Sequence, residues 1–331
     1  MFARARRPAR RFAPLVLALA IASPAAAQVR ELRVTSDNDA YDFWVPVDTR
    51  PDREYTNGFE LSMDLAGGPL WARKLAPRAA RCAGGEDAAA PCVETTLAFG
   101  QKLFTPRSDG VDPIPGERPY AGWLYLAGTA HLQTAARRRS LGVEVGVTGP
   151  PSLGRPVHTA WHRLLGFWSP DGWENQLRFE PGVEVRYDER RRLLESRVGE
   201  TRVAWVAAEG GASLGNVRTE ARGGVRARLG WRVPHPWSAA ADRGAGRFSA
   251  YLLGGARGRA VARDLFLDGN TFGSAAPRVE HRPFVGELET GAGVRLGRVT
   301  AEYRVVSRGR EYRTEPGGHQ YSTFALSYRL P

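Results

Sequence analysis

The stretch Gln320-Tyr321-Ser322-Thr323-Phe324-Ala325-Leu326-Ser327-Tyr328-Arg329-Leu330 sorts its residues by parity. Phe324, Leu326, Tyr328 and Leu330 fall on one side, and Thr323, Ala325, Ser327 and Arg329 on the other. A period of two is the signature of a strand with one apolar and one polar face. Working back from the end of the chain, the same alternation recurs. Leu141, Val143, Val145 and Val147 alternate with Gly142, Glu144, Gly146 and Thr148. Phe59, Leu61, Met63 and Leu65 alternate with Glu60, Ser62 and Asp64. No helical periodicity of domain size interrupts the pattern.

Alternation alone fits a soluble sandwich as well as a membrane barrel, because in a sandwich the apolar face meets a second sheet. The first residues decide between them. Arg4, Arg6, Arg7, Arg10 and Arg11 precede an uncharged apolar run from Ala13 to Ala22, and Ala25-Ala26-Ala27 offers a cleavage site. Residues 1–27 therefore read as a signal peptide and residues 28–331 as the mature domain. The apolar run is shorter than the roughly 20 residues that a spanning helix needs. Export, ten-residue alternating segments and aromatics near their ends point to an all-β, antiparallel transmembrane β-barrel of a Gram-negative outer membrane.

Twelve strands are expected, at 31–38, 56–65, 94–104, 121–133, 140–148, 175–187, 202–213, 216–230, 247–258, 284–296, 299–307 and 320–330. The segment 261–267 is assigned to a loop, since bacterial barrels carry an even number of strands. With both termini in the periplasm, the outward loops are 39–55, 105–120, 149–174, a turn near 214, 259–283 and 308–319. One of these loops holds a short helix over 157–165.

The net charge is +12, and it falls to about +7 once the five signal arginines are removed. This excess suits a phosphate-rich lipid such as lipopolysaccharide, while export argues against nucleic acid as a partner. Cys82 and Cys92 bracket a Gly/Ala/Asp segment, and in an oxidising periplasm they are expected to form a disulfide. Of the 47 basic residues only Lys74 and Lys102 are lysine. A site that needs a compact point charge does not accept arginine's fork, so each surviving lysine is a candidate for a specific role.

Three outward loops carry polar residues that a plain pore does not need. Asp37-Asn38-Asp39 ends the first strand, and Tyr55-Thr56-Asn57-Gly58 re-enters the barrel. Their oxygens suit a hard cation such as calcium, and they also suit a simple chain turn. Lys102, in Gly100-Gln101-Lys102-Leu103-Phe104-Thr105-Pro106, faces the lumen by alternation. There it can hold an anion, or pair with Glu60 or Asp64. On the helix, His158 and His162 are four residues apart and share a face. Without an H-E-x-x-H pattern, one histidine acting as general base is a better functional reading than a zinc chelate, although the spacing alone favours a plain pair of polar helix residues at a loop surface.

In order along the chain stand Asn38-Asp39, Y-T-N-G (55–58), G-Q-K-x-x-T-P (100–106), R-P-Y-A-G-W (118–123), G-P-x-S (149–152), T-x-x-H (159–162) and G-W-x-x-Q-L-x-x-E-P (172–181). This order resembles the lipid A 3′-O-deacylase family over about residues 34–187. The resemblance implies a twelve-stranded barrel with a calcium-dependent site that hydrolyses the ester of the 3′-linked acyloxyacyl group of lipid A. It implies His162 as general base, Asn38 and Asp39 at the metal and oxyanion region, and Thr56 and Lys102 as further catalytic positions. It also implies substrate contacts from the residue four before the base, here His158 where the family commonly has glutamine, and from an acidic residue that is either Glu174 or Glu180. A monomer is expected. An outer-membrane phospholipase or esterase on another lipid, and a non-enzymatic pore or adhesin, are the alternatives.

Overall fold

The structure, a computed structural model, describes residues 28–42, 53–68, 79–82, 91–108, 111–166, 171–237, 247–272 and 277–330. The signal-peptide reading of residues 1–27 and the candidate Lys74 lie outside them. The strands are β1 (Val29–Asn38), β2 (Glu54–Ala66), β3 (Ala80–Arg81), β4 (Cys92–Thr105), β5 (Ala121–Gln133), β6 (Arg137–Thr148), β7 (Glu180–Val198), β8 (Thr201–Gly215), β9 (Arg218–Trp231), β10 (Phe248–Asp264), β11 (Phe284–Leu296), β12 (Val299–Arg308) and β13 (His319–Arg329). Twelve of them pair antiparallel around a closed ring, which β1–β13 and β2–β4 complete. The two-residue β3 lies outside the ring, parallel to the start of β4, beside the Cys82–Cys92 disulfide.

Closure follows from the two-faced strands. Outward side chains such as Leu61, Phe99, Leu126, Leu229, Leu252 and Leu326 are exposed, and they form the apolar belt that a bilayer covers. Among the described residues no helix is long and apolar enough to cross a membrane.

The inward faces carry a lattice of charge. Arg226 pairs with Glu289 at 2.6 Å, Arg228 with Glu302 at 2.6 Å, and Arg257 with Glu209 at 2.9 Å. Pairing is what lets so many charges share one interior. These groups line a lumenal cavity of about 720 Å³. Its long-loop end is filled by an apolar cluster that includes Tyr55, Phe104, Trp123, Tyr321 and Phe266. At the other end residues 232–237 fold inward, with the Trp205 indole donating to the Pro234 carbonyl at 2.9 Å and Trp237 packed beside Trp205.

Several expected boundaries move. Residues 175–179 are not strand, and β7 instead runs on through the charged segment 188–198. The first of these departures makes room for a 3-10 turn at Gly172–Asn175. The expected loop at 259–283 begins late, because β10 continues to Asp264 and then breaks into a one-turn helix, α2 (Leu265–Asp268), capped by the Asp264 carboxylate. The loop helix, α1 (Gly154–Leu165), starts three residues before the expected position.

Candidate active site

Parity sets which side of the wall each candidate occupies. On β1, Leu32 and Val34 are exposed on the apolar face, so Ser36 and Asn38 share that outer face. Glu31 and Arg33 line the lumen. On β4, Phe99, Gln101 and Leu103 face out, and Thr96 and Lys102 face in. Where β2 enters the barrel, the register slips between Tyr55 and Asn57, with Thr56 as the extra residue. A bulge of this kind turns two successive residues to one side. Tyr55 and Gly58 both look inward, towards each other and towards Asp37, so Thr56 and Asn57 are left on the outer face. Thr56 shares a 2.7 Å hydrogen bond with Thr105 there, and both are buried.

What buries this outer row is loop structure folded back on the wall. Asn38 caps a 3-10 turn at Asp39–Tyr41, its Oδ1 accepting from the Ala40 N–H at 2.7 Å. The Asp39 Oδ2 accepts from the Arg53 N–H at 2.7 Å. Tyr41 then packs edge-on against outward-facing Phe324 and against Trp161 of α1, with ring centroids 5.3 and 6.4 Å apart. Asp42 ties the turn down by accepting from Ser322 at 2.6 Å and Gln320 at 2.7 Å.

The other end of α1 rests on β4 and β5. Gln101 donates to the Ser152 carbonyl at 2.6 Å. Gly122 and Gly154 meet backbone to backbone, and a Cβ on Gly122 would fall 2.2 Å from Ser152 Oγ and 3.2 Å from Gly154 Cα. Helix α1 therefore lies along the outer wall, from Gly122 to the Tyr41 turn. Its wall-side residues His158 and His162 are 1% and 3% exposed, with their rings 4.2 Å apart and near perpendicular. The outer row of Asn38, Thr56, Asn57 and Gln101 thus faces a helix that carries two buried imidazoles. Gly122→Val is expected to push α1 off the wall, leaving the barrel's heat-modifiable gel migration unchanged while lowering any activity of the site.

Not every expected residue joins this cleft. Lys102 points into the lumen, where its Nζ lies 3.8 Å from Glu144 and 4.5 Å from the centre of the Tyr125 ring. Its ion-pair partner is Glu144, not Glu60 or Asp64, because Tyr125 stands between and itself donates to Glu60 at 2.8 Å. Lys102 and the histidines are thus on opposite faces of the wall. Glu174 is exposed and pairs with Arg155. Glu180 is buried and accepts from the Asn216 side chain, the Asn270 side chain and the Thr271 N–H, the last at 2.7 Å, which ties β7 to the segment after α2. Neither carboxylate is directed by these contacts into the cleft.

Behind the cleft a buried ion cluster braces the loop mouth. Arg118 Nη1 donates to Glu54 at 3.3 Å and to Glu311 at 3.2 Å, and all three side chains are nearly inaccessible to water. The Tyr312 hydroxyl donates to Glu54 at 2.8 Å. Burial raises the pKa of the Glu311 carboxyl, but Arg308 and Arg118 overcome that and hold it well below the usual carboxylate range. The cluster had no signal in the sequence beyond the motif that contains Arg118.

An antiparallel barrel with a greasy outside, a charged lumen and a polar cleft at one rim defines the class as an outer-membrane β-barrel protein of Gram-negative type. The chain belongs to the family of outer membrane protein LpxR, whose family model matches residues 14–330. LpxR from Salmonella typhimurium has the same fold, with a TM-score of 0.72 at 17% identity over 91% of this chain and 100% of that chain. The β domain of the Bordetella autotransporter BrkA aligns over 92% of this chain and 99% of its own at 10% identity, with a TM-score of 0.46. The translocator domain of the autotransporter NalP from Neisseria meningitidis covers 93% of this chain and 90% of its own at 12% identity, with a TM-score of 0.38. No curated protein matches the sequence.

Proposed function

We propose that this chain is an outer-membrane hydrolase that removes the 3′-linked acyloxyacyl group of lipid A, with His162 as general base and the long loops facing outward. The observation that carries the reading is the position of the histidine face of α1. It lies on the outer side of the wall, the face that carries exposed Val34, Phe59 and Phe99 and that a lipid leaflet would cover. A soluble substrate would not call for a row of polar residues on the lipid-facing side of the wall. Family membership supports lipid A as that lipid.

His162 takes a proton from water, and the resulting hydroxide attacks the ester carbonyl carbon. The tetrahedral oxyanion is held by N–H and amide donors of the cleft. Collapse breaks the bond to the sugar oxygen, which takes the proton back from the His162 imidazolium. The acyloxyacyl chain leaves as a carboxylic acid that gives its proton to solvent, and the sugar keeps its hydroxyl. Asn38 and Asp39 bring a buried, oxygen-only donor set next to this row, and that set fits calcium in kind better than it fits zinc. Calcium held by them would supply electrophilic polarisation of the ester carbonyl. Lys102 acts from the lumen side, holding Glu144 beneath Trp123, and is a support for the wall and not a donor in the cleft. A monomer is part of this proposal, and the ring needs no second chain to close.

The purified barrel in detergent is expected to deacylate lipid A with calcium present, to stop on addition of a calcium-selective chelator, and to resume when calcium is restored. Cleavage of phospholipid instead would favour the esterase alternative. The apolar packing at one end of the lumen and the inward-folded residues 232–237 at the other speak against the pore alternative.

A further inference from the structure

Trp173 is fully buried in the 3-10 turn Gly172–Asn175, and it does not belong to any role described so far. Its indole packs on Tyr120 with ring centroids 5.1 Å apart, shares a small apolar cluster with Leu103, and stands where a side chain on Gly154 would be. The Gln176 N–H and the Gln176 side chain both donate to the Trp173 carbonyl, at 3.3 and 3.1 Å. The ring is therefore braced on several sides. Its Nε1 lies 3.0 Å from Nδ1 of His158.

An indole nitrogen can donate a hydrogen bond but cannot accept one. His158 Nδ1 must then be the acceptor, with its lone pair turned to Trp173. A neutral imidazole carries one proton, so that proton is on Nε2. This has two chemical consequences. With the Nδ1 lone pair engaged and Nε2 protonated, His158 has no lone pair to offer a metal, so the tandem histidines of α1 are not a chelating pair. Nor can His158 serve as a second base. What it can offer is one N–H donor of fixed direction, 4.2 Å ring to ring from His162.

We propose that Trp173 is a positioning residue that locks His158 as the neutral Nε2–H tautomer, so that His158 donates a hydrogen bond to the carbonyl oxygen of the ester on which His162 acts. The donor's role rests on the hydrolase reading given above, whereas the lock does not. A histidine free to choose its tautomer would offer a bare lone pair to the oxyanion for part of the time. Fixing the tautomer prepays that choice, which is how preorganised donors favour the transition state.

The test combines nitrogen-15 NMR of the histidine rings in the folded, detergent-solubilised barrel with steady-state deacylation. The unaltered protein is expected to show His158 protonated at Nε2, and Trp173→Phe, which removes the indole N–H, is expected to show a mixture of tautomers. Removing an oxyanion donor should lower kcat by about 10²–10³-fold in His158→Ala, while His158→Gln, which keeps an N–H, retains most of the rate. Trp173→Phe should lower kcat with little change in KM. In the double variant Trp173→Phe/His158→Gln the rate should return to that of His158→Gln, because an amide needs no tautomer lock. If Trp173 served only for packing, both backgrounds would lose the same factor, and the proposal would fail. A proton on Nδ1 in the unaltered protein would also overturn it. Complete absence of lipid A hydrolysis with Nε2–H observed would remove the hydrolase reading and the donor role together, and leave the lock standing.

Discussion

His162→Ala is expected to abolish deacylation while the barrel folds and inserts as before. General-base catalysis contributes on the order of 10²–10⁴-fold, so the residual rate should sit near the background of ester hydrolysis in the same detergent. The side chain is 3% exposed on a helix that packs against β4 and β5, so its loss removes a buried proton acceptor and leaves a small void in its place. The barrel strands do not depend on it, and α1 has further anchors at Gly122, Gln101 and Tyr41. Heat-modifiable migration of the variant checks the fold, and product release from lipid A checks the chemistry. A variant that is folded and fully active would remove His162 from the mechanism.

The largest effect on stability is expected from Arg118→Ala. The guanidinium joins Glu54 to Glu311 and lies 4.7 Å from the centre of the Phe104 ring. With Arg118 gone, Glu54 loses its cation in a place that water does not reach, while Glu311 keeps Arg259 and Arg308. Breaking a buried pair in this way costs about 3–5 kcal/mol, mostly as the penalty for uncompensated charge. The loss should be concentrated at the loop mouth, which Arg118, Glu54 and Tyr312 hold together, so thermal unfolding followed there should fall further than unfolding of the strands. Arg118→Lys should rescue little, since a single ammonium cannot replace a fork that bridges two acids. Adding Glu54→Gln to Arg118→Ala should recover part of the loss, which is the non-additivity expected of residues in one network.

The same cluster gives the mouth an acid limit. The Glu311 carboxyl is held below its ordinary value by Arg308 and Arg118, so it binds a proton less readily in the folded protein than in the unfolded one. Its stabilising contribution is therefore present above the unfolded carboxylate pKa and is lost as pH falls through the depressed folded value.

Alternation made the strands legible, because a residue such as Leu326 or Phe59 can satisfy the bilayer only from one face. The charged run 188–198 looked like loop for the same reason turned round. Arg190 lines the lumen and Arg192 pairs with Glu195 towards the turn, so the strand continues through side chains that the lipid never meets. Parity also contained the answer to where the cleft lies. Asn38 follows Leu32 and Val34 on the greasy side, while Lys102 is offset by one residue from outward Phe99, Gln101 and Leu103, so the two could not share a face. Nearness to a common rim concealed that. Thr56 reaches the outer face only through the bulge in β2, and a one-residue slip between paired strands leaves no local mark in the sequence. Trp173 was equally hidden, since its contact with His158 joins a 3-10 turn to a helix across a chain segment whose conformation is set by packing.

The mechanism depends on an ester of a membrane lipid being cut between α1 and the outer wall. The most direct measurement is the mass spectrum of lipid A from a lipid A-producing host that expresses either the unaltered chain or His162→Ala. Loss of the mass of the 3′-linked acyloxyacyl group with the first and its full retention with the second is the predicted result. Identical spectra from the two, with both barrels folded in the outer membrane, would contradict it.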